Sequence, residues 1–158
     1  MNTELLKNVY LFNDLNMTEL VEVLKICRQM KFPREKFIFL EGDPGDRCYI
    51  IEEGEVRISK FVPNMGEEAL AVLKSGQFFG EMSLIDGSPR SATAIANTEV
   101  TCLVIDKADL DNLLTVDKDL GNKLLWVFCR TLSKRLRETN EKISNFIAMT
   151  AGFGGPAM

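Results

Sequence analysis

The chain has 158 residues, 46% of them hydrophobic and 27% charged, with a formal net charge of −4. That length suits one domain with its own core, and the mild acidity argues against a surface built to grip nucleic acid. The chain contains no histidine, which removes the commonest general base and the commonest metal ligand.

The first third reads as helix. NMTELVEVLKICRQM carries apolar residues at Met17, Leu20, Val21, Val23, Leu24 and Cys27, near a period of 3.6. Asn16 followed by Glu19 has the form of an N-cap with its capping-box acid, and Pro33 closes the region. The middle changes character. KFIFLE, CYIIEEGEVRISKFV, EALAVL, SATAIA and EVTCLVID are short, β-branched or aromatic, and often alternate. Turn signals separate them: EGDPGD, EEGE, PNMGEE and LKSGQ. Short, regularly spaced strands predict a small antiparallel β-roll or jelly roll.

The last third returns to helix. Asp106 and Asp109 suit a cap and first turn for DKADLDNLLT, and one long helix follows, over about residues 117–147. Leu125, Cys129, Leu132, Leu136, Thr139, Ile143 and Phe146 fall in alternating steps of four and three, a heptad seam. Two readings fit: the helix packs on its own barrel, or it pairs with a second copy. The fold class expected is therefore α+β, mainly β, with N-terminal helices, an antiparallel jelly roll and a long C-terminal helix. Residues 1–147 form the domain, and residues 148–158, small and Gly-rich, a flexible tail or linker.

Cys27, Cys48, Cys102 and Cys129 are far apart, form no CxxC pair and sit in apolar stretches. They read as small buried hydrophobes in a reducing, cytoplasmic setting rather than as a zinc site. No apolar run is long enough to span a bilayer, so no membrane partner is expected.

The stretch with chemical content is FFGEMSLIDGSPRSATA, residues 78–94. A strand-like Phe-Phe leads to Gly80, which allows positive φ, and then to a short helical turn starting at Glu81. Gly87 and Pro89 reverse the chain and bring back Arg90, whose planar fork suits a phosphate. Ser91 and Ala92 are small enough to leave room. Glu81 beside an anion calls for a ligand that also donates, such as a ribose hydroxyl, so a nucleotide with its phosphate near the sugar fits both. The alternative is an ordinary surface ion pair, worth little.

FGEMSL followed by SPRSATA resembles the phosphate-binding cassette of the cyclic nucleotide-binding domain family. YIIEEGEVRI is similar to that family's strand–Gly–strand hairpin, and EGDPGD to its Gly-rich turn; the resemblance covers roughly residues 10–147. It implies a β-roll flanked by helices, with no enzymatic activity. Gly80 and Ser83 would line the phosphate and ribose, Glu81 would accept from the 2′-hydroxyl, and Arg90 would pair with the cyclic phosphate. Ser91 would add a hydroxyl and an N–H beside Ala92, while Met82 and Leu84 would anchor the cassette helix. KRLRETNEKISN, residues 134–145, resembles the catabolite activator branch. There the matching positions, Thr139 and Asn140, contact adenine, the second from the partner subunit; that branch has Ser in place of Asn140.

The resemblance implies a cAMP sensor, with cGMP the other candidate because Ser91 follows Arg90. It implies a homodimer through the last helix and a downstream protein partner or output domain. A winged helix-turn-helix follows this helix in the catabolite activator branch and is missing from the sequence, so direct DNA binding is not expected. The competing readings are an interaction protein that keeps the fold without binding nucleotide, and a fragment of a larger cAMP-regulated transcription factor or enzyme. A metal-dependent jelly-roll enzyme is disfavoured by the lack of histidine and of clustered acids.

Overall fold

This computed structural model describes Leu6 and residues 8–152, in two units, one ending at Leu124 and the other beginning at Leu125. In the first unit, α1 (Met17–Lys25) starts with the capping box read from the sequence. Asn16 Oδ1 accepts from the Glu19 N–H, and a Glu19 carboxylate oxygen accepts from the Asn16 N–H, both at 2.9 Å. The helical period seen in the sequence continues to Met30, but the helix does not. Residues from Cys27 onward form β1 (Cys27–Phe32), which pairs antiparallel with β8 (Val100–Asp106) from Cys27↔Ile105 to Phe32↔Val100. The inter-strand ladder overrides a weak local preference for helix.

The strands between are β2 (Phe37–Phe39), β3 (Arg47–Glu53), β4 (Glu55–Val62), β5 (Gly66–Lys74), β6 (Phe78–Phe79) and β7 (Thr93–Ala96). They form two four-stranded sheets, in the orders β1-β8-β3-β6 and β2-β7-β4-β5, with every pairing antiparallel. Inward residues of both sheets make the core: Phe32, Tyr49, Ile51, Val56, Phe79, Ala94, Val100, Cys102 and Val104 among them. Cys48, Tyr49, Ile50 and Ile51 are all buried. A strand with both faces covered reads as a continuous apolar run rather than an alternating one.

Two further helices follow the strands: α3 (Lys107–Val116) and the start of α4 (Lys118–Gly152). Asp106 stands at the α3 N-cap position, but its side chain does not cap. Its carboxylate instead accepts from Arg28 at 2.9 Å and from Arg47 at 3.0 Å. Burial pushes the Cys27 and Cys102 thiols up to about 12, so both are protonated at neutral pH. Cys48 and Cys102 are buried as expected, whereas Cys27 is half-buried. Cys129 departs from that reading, because it is exposed.

The second unit is the α4 helix from Leu125 onward. The helix continues to Gly152, past the end expected near residue 147. Met149, Thr150 and Ala151 carry nothing that breaks a helix, and the Thr150 hydroxyl donates back to the Phe146 carbonyl at 3.1 Å. The remainder of the expected tail, residues 153–158, lies outside the described residues. No helix among the described residues is long and apolar enough to cross a membrane.

Candidate functional site

The turn after β6 is built around Gly80. Its backbone is left-handed, φ 79° and ψ 6°, and it caps the N-terminus of a short helix, α2 (Glu81–Asp86). A Cβ there would lie 2.8 Å from Arg90 Nη1 and 3.2 Å from the Arg47 carbonyl, so both the conformation and the space call for glycine. The helix buries Glu81, Ser83 and Leu84. Leu84 anchors it as expected. Met82 does not: it is exposed, and its sulfur accepts from the exposed Ser91 hydroxyl at 3.7 Å.

Arg90 lies at the centre of the site. Only 4% of it is exposed. Nη1 donates to the Gly80 carbonyl and Nη2 to the Arg47 carbonyl, each at 2.7 Å. Its Cζ stands 4.1 Å from the centroid of the Phe39 ring. The Arg90 main chain is also tied: its N–H donates to the Asp43 carbonyl, and its carbonyl accepts from the Gly42 N–H, both at 2.8 Å. Nε is buried with no hydrogen-bond partner. Burial pulls the Arg90 pKa below its ordinary value, and nearby groups, Tyr49 foremost and Asp46, Cys48 and Glu81 after it, oppose that. A guanidinium starts so far above neutrality that it stays charged.

The supports of this arginine come from residues that carry only strand and turn patterns in the sequence. Phe39 packs at 5.8 Å from Tyr49 and 5.9 Å from Phe79, and the latter two rings stack at 5.0 Å. Gly45, inside EGDPGD, lies so close that a Cβ would collide with Ser83 and come within 3.1 Å of Arg90 Cζ. That glycine-rich run was the one signal available in advance, and its spacing spoke only of a turn.

Of the residues singled out, the structure groups Gly80, Glu81, Ser83 and Arg90, all buried except the half-buried Gly80, with Ala92 buried and Met82 and Ser91 exposed in the same segment. Thr139 and Asn140 belong to the second unit and are exposed; the Thr139 hydroxyl donates to the Arg135 carbonyl at 2.8 Å. Among the described residues, no group of three or more His, Cys, Asp or Glu side chains could hold a metal ion.

Two antiparallel sheets closed over one core, with helices before and after, define a jelly-roll domain of the β-roll kind. Residues 29–117 match the model of the cyclic nucleotide-binding domain, and the chain belongs to that family. A CRP-like cAMP-activated global transcriptional regulator of Mycobacterium tuberculosis is 32% identical over 91% of this chain and 62% of its own length. A cyclic nucleotide-gated potassium channel of Mesorhizobium japonicum is 36% identical over 85% of this chain and 35% of its own. Among solved structures, a cyclic nucleotide-binding domain from Methylobacillus flagellatus superposes with a TM-score of 0.81 at 31% identity, covering 90% of this chain and 84% of the other. The Thermus thermophilus catabolite activator protein gives 0.76 at 30% identity, covering 87% and 62%. The chain thus spans under two thirds of the length of these curated relatives.

Proposed function

We propose that the chain is a cAMP sensor whose ligand occupies the segment from Gly80 to Ala92. The observation that carries this is the state of Arg90. It is a buried, charged guanidinium held by two main-chain carbonyls and a ring, and its Nε donor has no partner. A buried unsatisfied donor costs on the order of 1–3 kcal/mol, and a buried cation costs more. An anionic ligand relieves both. In this reading Arg90 takes the cyclic phosphate, and Glu81 accepts from the ribose 2′-hydroxyl. Gly80, Ser83, Ser91 and Ala92 keep the approach open, with Met82 on the outer side of the cassette. Thr139 and Asn140 meet the base, Asn140 from the second subunit of a homodimer paired through α4. Occupancy then biases that helix and is passed to a protein partner or an output domain, without catalysis, in the cytoplasm.

Calorimetric titration tests the assignment. Wild-type protein should bind cAMP more tightly than cGMP, and Arg90→Ala should weaken cAMP by roughly 100-fold or more, the loss of charge-assisted hydrogen bonds. No heat at millimolar cAMP would favour the interaction-protein reading. A third arm should carry cyclic di-GMP. A c-di-GMP responsive global regulator of Xanthomonas campestris has the same fold, with a TM-score of 0.73 at 27% identity, so the fold alone does not fix the ligand.

A further inference from the structure

The cradle that holds Arg90 assigns a task to a residue outside the cassette. We propose that Phe39 is a positioning residue for nucleotide binding: its ring holds the Arg90 guanidinium in place for the phosphate. This rests on the reading of Arg90 as the phosphate partner. A buried arginine meant for an anionic ligand has two poor alternatives, to swing out to water or to be neutralised by a carboxylate. Here two carbonyls, of Gly80 and Arg47, take the terminal nitrogens, and these bonds fix the in-plane direction of the fork. They leave the flat face of the guanidinium undefined. The Phe39 ring, 4.1 Å from Cζ, supplies that face. An aromatic face attracts a cation without accepting its protons, so it stabilises the charge and uses none of the donors a phosphate needs. A carboxylate in the same place would compete with the ligand.

Phe39 is itself fixed. It is paired with Ala94 across β2 and β7, and its ring leans on Tyr49 and Phe79. The ring that faces Arg90 is thus backed by two rings of the opposite sheet, since β3 and β6 lie in one sheet and β2 in the other. The same ring also packs against the core, so the test must read the effect at Arg90 apart from any loss of fold stability.

The test uses the full chain and two substitutions. Phe39→Leu keeps an apolar side chain of similar bulk and removes the ring; Phe39→Tyr restores the ring. By calorimetry Phe39→Leu should bind cAMP roughly 3- to 10-fold more weakly than wild type, the range expected when a partly desolvated cation–π contact is lost. Phe39→Tyr should bind within about 2-fold of wild type. A readout independent of nucleotide is the arginine side-chain N–H spectrum of the free protein. The Arg90 Nε–H resonance, assigned by its loss in Arg90→Lys, should sit at a ring-shifted position in wild type and Phe39→Tyr and move in Phe39→Leu. Thermal unfolding of both variants controls for a general loss of structure. If wild type binds cAMP and Phe39→Leu binds equally well, the role of Phe39 is overturned while the functional reading stands. An unshifted Arg90 resonance in Phe39→Leu overturns it as well, and so does weakened binding that Phe39→Tyr does not restore. If wild type binds no cyclic nucleotide, the functional reading falls first, on a measurement that does not involve Phe39.

Discussion

At Gly45 the chain has no room for one more carbon. A methyl group there would press on the Ser83 side chain and on the Arg90 guanidinium, both buried. Gly45→Ala should therefore strain the fold and the cassette together. Overpacking of this kind costs typically 1–3 kcal/mol, to be read as a lower urea midpoint at an unchanged slope. A midpoint equal to wild type would mean that the loop shifts freely and the close approach has no energetic weight. Gly80, Glu81 and Arg90 were legible in the sequence because they share one short run, in which glycines bracket a charged pair. Gly45, Phe39 and the Arg47 carbonyl were not. Arg90 meets the Arg47 carbonyl across a sequence separation of 43 residues, and such a contact depends on strand pairing that no local pattern encodes.

At the scale of the element, α1 shows how far local pattern carries. Its start was readable, since the capping box needs only Asn16 and Glu19. Its end was not, since the Cys27–Phe32 backbone is claimed by β8. Glu19 has a second partner, Lys123 at the start of α4, whose ammonium bonds both carboxylate oxygens at 2.8–2.9 Å. The Lys123 bond first, and then the Asn16 N–H, hold the Glu19 pKa below its ordinary 4.5. Glu35 and Glu67, both bonded to Arg57, are held low in the same way. A carboxylate whose pKa is lower in the folded state contributes stability that is complete above the unfolded value and is lost as pH falls through the folded one. The urea midpoint should thus be flat near neutrality and fall below about pH 4.5, with Glu19→Gln showing a shallower acid decline. An unaltered decline in Glu19→Gln would place the acid sensitivity elsewhere. Asn16→Ala should cost about 1 kcal/mol at neutral pH, the usual worth of an N-cap side chain.

At the scale of the whole molecule, the outstanding feature is the row of apolar side chains on α4. Leu125 is 45% exposed, Leu136 62%, Ile143 52% and Phe146 68% in the single chain. An apolar stripe in water invites a cover, and steps of four and three are the pattern that a second helix covers by knobs-into-holes packing. Each such side chain is worth about 1.5–3 kcal/mol when fully buried, against an association cost of about 4–15 kcal/mol. These side chains are about half exposed, so each gains about half of that, and the two copies of the row together bring a sum of the same order as the cost. Thr139 is the polar member of that row, and a polar residue at one seam position lowers pairing strength while leaving a place for a ligand group. Wild-type protein should therefore sediment as a dimer at micromolar concentration. Leu136→Asp combined with Ile143→Asp should sediment as a monomer with its circular dichroism largely retained, because the first unit keeps its own core. That variant also isolates the cassette. Its affinity for cAMP should fall if Asn140 of a second subunit completes the site, and should match wild type if the segment from Gly80 to Ala92 binds nucleotide alone. A wild-type chain that stays monomeric at high concentration, with or without cAMP, would show that the seam does not pair two copies and would leave the helix to a different protein.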